Sequence, residues 1–132
     1  MGVIEETVNS NKFEYHKEFI NDIKFLLAKD LNGNKQQFIK LCRKQVSNLN
    51  NFSSNHIVMI DSNELLKYQD DFVCYSLHLR SKGFNVRFLV SLKNDKYILL
   101  VAFNEKSKRS NYSRYIDIAK KRYMEDSKYE KE

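Results

Sequence analysis

Three short apolar runs dominate the hydropathy pattern of the chain, at Phe72–Leu79, Phe84–Leu92 and Tyr97–Phe103, each rich in β-branched and aromatic residues. Lys82-Gly83 and Asn94-Asp95 separate them, which is the signal of consecutive hairpins. The pattern predicts a three-stranded antiparallel meander. Alternation of side chains between faces then selects a register. With a two-residue turn at Lys82-Gly83, Leu79 falls opposite Val86, Leu77 opposite Phe88 and Tyr75 opposite Val90. The other face sets Arg80 opposite Asn85, His78 opposite Arg87 and Ser76 opposite Leu89. A three-residue turn would mix polar with apolar neighbours. The second hairpin is expected to pair Val90 with Leu99, Phe88 with Val101 and Val86 with Phe103. Arg87 would then lie beside Ala102, and Asn85 beside Asn104. On this reading one face is greasy and packs helices, and the other is polar, with His78, Arg80 and Arg87.

Upstream the period changes to that of a helix. Phe13, Phe19-Ile20, Ile23, Leu26-Leu27 and Leu31 recur at three- and four-residue spacing, with Asn11 as the expected cap and Asn32-Gly33-Asn34 as the stop. A second helix is expected from Lys35 to Asn50, with Phe38, Leu41-Cys42, Gln45-Val46 and Leu49 inward and Lys40, Arg43 and Lys44 outward. So short a connection predicts an antiparallel helical hairpin. Val3-Ile4 with Thr7-Val8 suits an edge strand or loose chain, His56–Ile60 a short extended segment, and Asn63–Tyr68 one helical turn. A last helix starts near Tyr112, with Tyr115-Ile116, Ala119 and Tyr123 as a stripe more suited to packing than to a ligand. Residues 1–10 and 126–132 are expected to be loosely ordered. The fold class expected is α+β: an N-terminal helical hairpin on a three- to four-stranded antiparallel sheet, with a C-terminal helix, in a single domain spanning residues 1–132.

A chain of 132 residues with 42% hydrophobic and 30% charged positions suits one folded domain. There is no apolar run of membrane-spanning length and no signal-peptide pattern, so a cytoplasmic protein without membrane contact is expected. Cys42 and Cys74 are far apart and read as buried thiols. The three histidines have no ligand spacing, so neither a metal nor another cofactor is expected.

Charge adds the functional signal. Between Glu105 and Arg122, seven cations (Lys106, Lys108, Arg109, Arg114, Lys120, Lys121 and Arg122) face only Glu105 and Asp117, so this segment holds most of the net charge of +6. Such a concentration calls for a polyanionic partner, most simply nucleic acid. Arginines on one sheet face commonly do no more than face solvent. Two of them beside a histidine and a cationic segment also suit a phosphate cradle, because guanidinium forks match phosphate oxygens.

Tyr75-Ser-Leu-His-Leu-Arg80, Asn85-Val-Arg87-Phe-Leu, Leu99-Leu-Val-Ala-Phe103-Asn-Glu-Lys106-Ser-Lys108 and Ile116-Asp-Ile-Ala119-Lys-Lys-Arg122 together resemble the RelE/ParE toxin superfamily, closest to its HigB-like branch. The resemblance covers roughly Phe13 to Tyr123. It implies the toxin of a bacterial type II toxin–antitoxin pair: a metal-independent endoribonuclease that cleaves messenger RNA on the ribosome, held in check by an antitoxin with an acidic or helical segment. Gyrase inhibition, as in ParE-like members, and RNA binding without catalysis are the alternatives. Under the nuclease reading Arg87 and Lys106 stabilise charge and Arg80 orients the RNA backbone. His78 is the first candidate base, with Glu105 and Tyr112 behind it. Lys82, Asn85, Asn104, Lys108, Arg109, Arg114, Lys120, Lys121 and Arg122 would contact RNA. The chain departs from the branch at Glu105, where a lysine is expected, at Asn104 in place of a small residue, and in lacking the proline that opens the last helix.

Overall fold

A computed structural model describes residues 13–50, 64–69, 72–93, 96–105 and 112–129. The expected segments Val3–Val8 and His56–Ile60 lie outside them. The fold is α+β. In chain order the elements are β1 (Phe13–Tyr15), α1 (Lys17–Ala28), α2 (Lys35–Asn50), β2 (Glu64–Gln69), β3 (Phe72–Ser81), β4 (Phe84–Lys93), β5 (Lys96–Asn104) and α3 (Tyr112–Tyr129). The five strands form one sheet in the order β1-β5-β4-β3-β2. All neighbours are antiparallel except β1, which runs parallel to β5.

The β3–β4 hairpin has the register that the alternation predicts, from Tyr75 opposite Val90 to Ser81 opposite Phe84. The Asn34 side-chain amide packs against the turn at Gly83, where a Cβ would come within 2.6 Å of it and make it swing aside. The β4–β5 hairpin agrees with expectation only up to Val90 opposite Leu99. A bulge then gives Leu100 no partner on β4, and the register slips by one: Phe88 faces Ala102, Arg87 faces Phe103 and Val86 faces Asn104. The pairings expected for Phe88, Val86, Arg87 and Asn85 are corrected accordingly.

Alternation lets β5 serve two cores, and the bulge puts the consecutive Leu100 and Val101 in the same one. Tyr97, Leu99 and Ala102 join Leu77, Leu79, Val86, Phe88 and Val90 beneath α1 and α2. Ile98, Leu100, Val101 and Phe103 join Phe72, Cys74 and Leu89 beneath α3. The face expected to be polar is therefore largely apolar and covered. Edge-to-face contacts of Phe19 with Phe88 and of Phe38 with Phe84 and Phe88 fill the first layer. Cys42 lies in one core and Cys74 in the other, neither in a disulfide, and burial pushes the Cys42 thiol far up.

Four further expectations are corrected. Phe13 is not helical, because Phe13–Tyr15 pairs with Tyr97–Leu99. The cap of α1 is His16, whose Nδ1 accepts the Glu18 N–H at 3.0 Å, rather than Asn11. The helix also ends before Asn32-Gly33-Asn34, at Ala28. Leu31 is buried in the turn that follows, and Gly33 takes the positive φ (87°) there. Asn63–Tyr68 is not a helical turn: Glu64–Gln69 is strand β2, paired along the outer edge of β3. Meeting the hydrogen-bonding groups of that edge outweighs weak local helix preference. α2 keeps the bounds expected of it, and α3 starts at Tyr112 and continues past Asp126 to Tyr129.

β1 covers β5 only as far as the His16 N–H to Leu99 carbonyl bond at 3.0 Å. Beyond it, side chains take over. Asp22 of α1 accepts the Ala102 N–H at 3.1 Å, and Arg122 of α3 donates to the Leu100 carbonyl at 2.8 Å. Arg122 and Asp22 also pair with each other at 2.7 Å, with side-chain exposures of 16% and 22%. Removing one partner from such a pair strands the other charge. Asp22→Ala is therefore expected to lower stability by about 2–3 kcal/mol in urea denaturation, a value discounted for partial exposure. Arg122→Ala added to it should cost much less than it does alone.

Candidate functional site

The turn end of the β3–β4 hairpin gathers most of the expected chemistry. Arg80 stands opposite Asn85 and His78 opposite Arg87, so both arginines and the imidazole lie on one face, the side covered by α3. On the other flank of Arg87 is Phe103, which stacks on Tyr115 of α3 at 3.9 Å and 5°. The Arg114 guanidinium lies 5.9 Å from the Tyr115 ring centre. The aromatic stripe of α3 is packing, as its spacing implies: Tyr115, Ile116 and Tyr123 all lie against the core.

Solvent access divides these residues. Arg80 and Lys82 are exposed, His78, Asn85 and Asn104 are partly buried, and Arg87 is buried. Arg87 is also engaged, its Nε donating to Glu105 Oε2 at 2.9 Å, with side-chain exposures of 9% and 10%. Its Nη1 is buried and has no hydrogen-bond partner among the described residues; the same holds for Asn85 Oδ1. Asn104, the last residue of β5, and Glu105 just beyond it hold the end of the strand to Asn85. Asn104 Oδ1 accepts the Asn85 N–H at 2.9 Å, and the Glu105 N–H donates to the Asn85 carbonyl at 2.8 Å. The side chain of Asn104 thus completes the sheet, and Glu105 is the counter-ion of Arg87.

The cations of α3 are spread out. Arg114 is at the site end. Arg122, expected to contact RNA, is partly buried and paired with Asp22. Lys120 is partly buried and Lys121 exposed. At about 1.5 Å per residue they sit roughly 8–9 Å along the helix from Tyr115. The farther turns of α3 lead away from the site, since the Tyr123 hydroxyl donates to the carbonyl of Leu92, near the other end of β4. Lys106, Lys108 and Arg109 lie outside the described residues, as does the side chain of Tyr112. Among the described residues no group of three His, Cys, Asp or Glu side chains could hold a metal ion, and no helix is long and apolar enough to cross a membrane.

Two participants were missed from sequence. Asp22 sits between Phe19 and Ile23 on the buried stripe of α1, and an acid at such a position signals a partner. Gln45 is buried in α2 and donates to the His78 carbonyl at 3.0 Å, fixing the strand behind the site.

No family model matches the chain, and neither a curated protein nor a solved structure matches it.

His78 has the most informative electrostatics. Burial, and then the positive charges of Arg87 and Arg80, lower its pKa from 6.5 to about 4. The imidazole is neutral at pH 7, able to accept a proton but weakly basic. The unfolded chain takes up a proton near pH 6.5 that the folded site refuses until about pH 4, so stability falls as pH drops through that window and levels off below it. An NMR titration of His78 should give a midpoint near 4, and His78→Asn should flatten the acid limb of the stability profile between pH 6.5 and 4.

Proposed function

We propose that the chain is the toxin of a bacterial type II toxin–antitoxin pair and acts as a metal-independent endoribonuclease on messenger RNA at the ribosome, in the bacterial cytoplasm. The observation that carries this reading is the grouping of Arg80, His78 and Arg87 on one face, at the end of the sheet where β5 leads into the cationic segment. The sequence resemblance to HigB-like toxins supplies the reaction class.

In that reaction the RNA 2′-hydroxyl attacks the adjacent phosphorus, the bond to the 5′-oxygen breaks, and a 2′,3′-cyclic phosphate and a free 5′-hydroxyl result. Arg80, exposed and next to His78, holds the RNA backbone. Arg87 stabilises the charge that grows on the phosphorane oxygens, together with Lys106. His78 accepts the 2′-hydroxyl proton and returns a proton to the departing 5′-oxygen. Its conjugate acid is strong, which favours the second transfer and handicaps the first. A bound phosphate offsets the two arginines and draws the imidazole pKa back towards neutrality. Tyr112 and Glu105 are the other proton-transfer candidates, and Glu105 would first have to leave Arg87.

The Arg87–Glu105 ion pair favours a second reading, RNA binding without cleavage, because a neutralised guanidinium is poorly placed to stabilise a transition state. In a translating extract the wild-type chain is expected to cleave mRNA, and Arg80→Ala to lower the rate by roughly 10²-fold or more. DNA supercoiling by gyrase should be unaffected. Absence of cleavage by the wild-type chain would defeat the nuclease assignment, undiminished cleavage by Arg80→Ala would remove Arg80 from the site, and loss of supercoiling would transfer the chain to the gyrase-directed class.

A further inference from the structure

Glu105 and Arg87 form an ion pair that is about nine-tenths buried on both sides, yet the described contact is a single one, Nε to Oε2 at 2.9 Å. A guanidinium has five donors in a planar fork. Arg87 leaves Nη1 buried with no partner among the described residues, so its donor capacity is only partly used. A buried arginine stripped of its anion is costly, so one anion can leave only as another arrives. Glu105 suits such an exchange. Its main chain is fixed by the bond from its N–H to the Asn85 carbonyl, which leaves the carboxylate free to swing away without disturbing the sheet. A phosphodiester, with two non-bridging oxygens, can accept from two nitrogens of the fork in parallel, whereas Glu105 accepts here from Nε alone.

We propose that Glu105 is an internal counter-ion that keeps the Arg87 subsite closed, and that a phosphodiester of bound RNA displaces it and accepts from both Nε and Nη1. The proposal rests on the RNA-directed reading above and adds a control to it: affinity is set by competition between a tethered carboxylate and the ligand. No covalent bond changes in the exchange. Arg80 and His78 flank Arg87 and would meet the incoming RNA first.

Anisotropy of a fluorescent, single-stranded 2′-O-methyl RNA reads binding without cleavage. Glu105→Gln is expected to bind it roughly tenfold more tightly than wild type, the scale of one charge-assisted hydrogen bond. The salt dependence of log K should steepen by about 0.7, as for one more phosphate contact. Adding Arg87→Gln to Glu105→Gln should abolish the gain. Because Glu105→Gln strands a buried cation and could unfold the chain, the wild-type Arg87 Nε–H resonance provides an independent readout, and it should shift as the RNA is titrated in. Equal or weaker binding by a folded Glu105→Gln variant, or an Nε–H resonance unmoved at saturating RNA, overturns the counter-ion role and leaves the RNA reading intact. A wild-type chain that binds no RNA overturns both.

Discussion

β1 is three residues long and the strand it borders is nine, so most of the outer edge of β5 is left without strand pairing. Asp22 and Arg122 provide partners there. One side chain comes from the helical layer on one face of the sheet and the other from the helix on the opposite face, and they meet across the edge at 2.7 Å. The pair satisfies backbone groups flanking the bulge at Leu100 while neutralising its own charges. An unpaired edge invites association with other chains, and a bulge without partners would leave polar groups stranded in an apolar layer. One ion pair answers both problems. Both helical layers are thereby tied to the strand that carries Phe103, Asn104 and Glu105 into the site.

The two-sided sheet explains the electrostatics of that site. Had the face bearing His78 and Arg87 stayed open to water, the imidazole would titrate near its ordinary value and the guanidinium would be solvated. α3 closes over that face by stacking Tyr115 on Phe103. Burial then makes the positive charges of Arg87 and Arg80 effective against protonation of His78, and it makes a counter-ion for Arg87 necessary. Glu105, which in sequence looks like a defect in a lysine-rich motif, is what allows a cation to sit so deep.

Much of this was legible in the sequence. The β3–β4 register followed from alternation alone, because slipping it by one residue would have set His78 and Arg80 against apolar partners. The β4–β5 register did not. From Tyr97 to Phe103 every residue is apolar, so pairings one residue apart look equally good and nothing marks Leu100 as the bulge. The same continuous apolarity implies burial on both faces, which is the signal that α3 would cover the second one. β1 and β2 were hidden because each is stabilised by a neighbouring edge rather than by its own composition. For the site, the grouping of Arg80, His78 and Arg87 was readable from the turn, whereas their accessibility was not. Exposure depends on where α3 lies and on an acid that the strand pattern does not include.

The order of the strands also has a consequence for biogenesis. β1 is the first described segment to leave the ribosome, but its partner on β5 lies roughly 80 residues later. Until β5 has been made β1 has no partner, and until α3 has been made Asp22 has no cation. Closing the sheet is therefore a late event that waits for most of the polypeptide, and the catalytic-looking surface cannot exist on a partial chain.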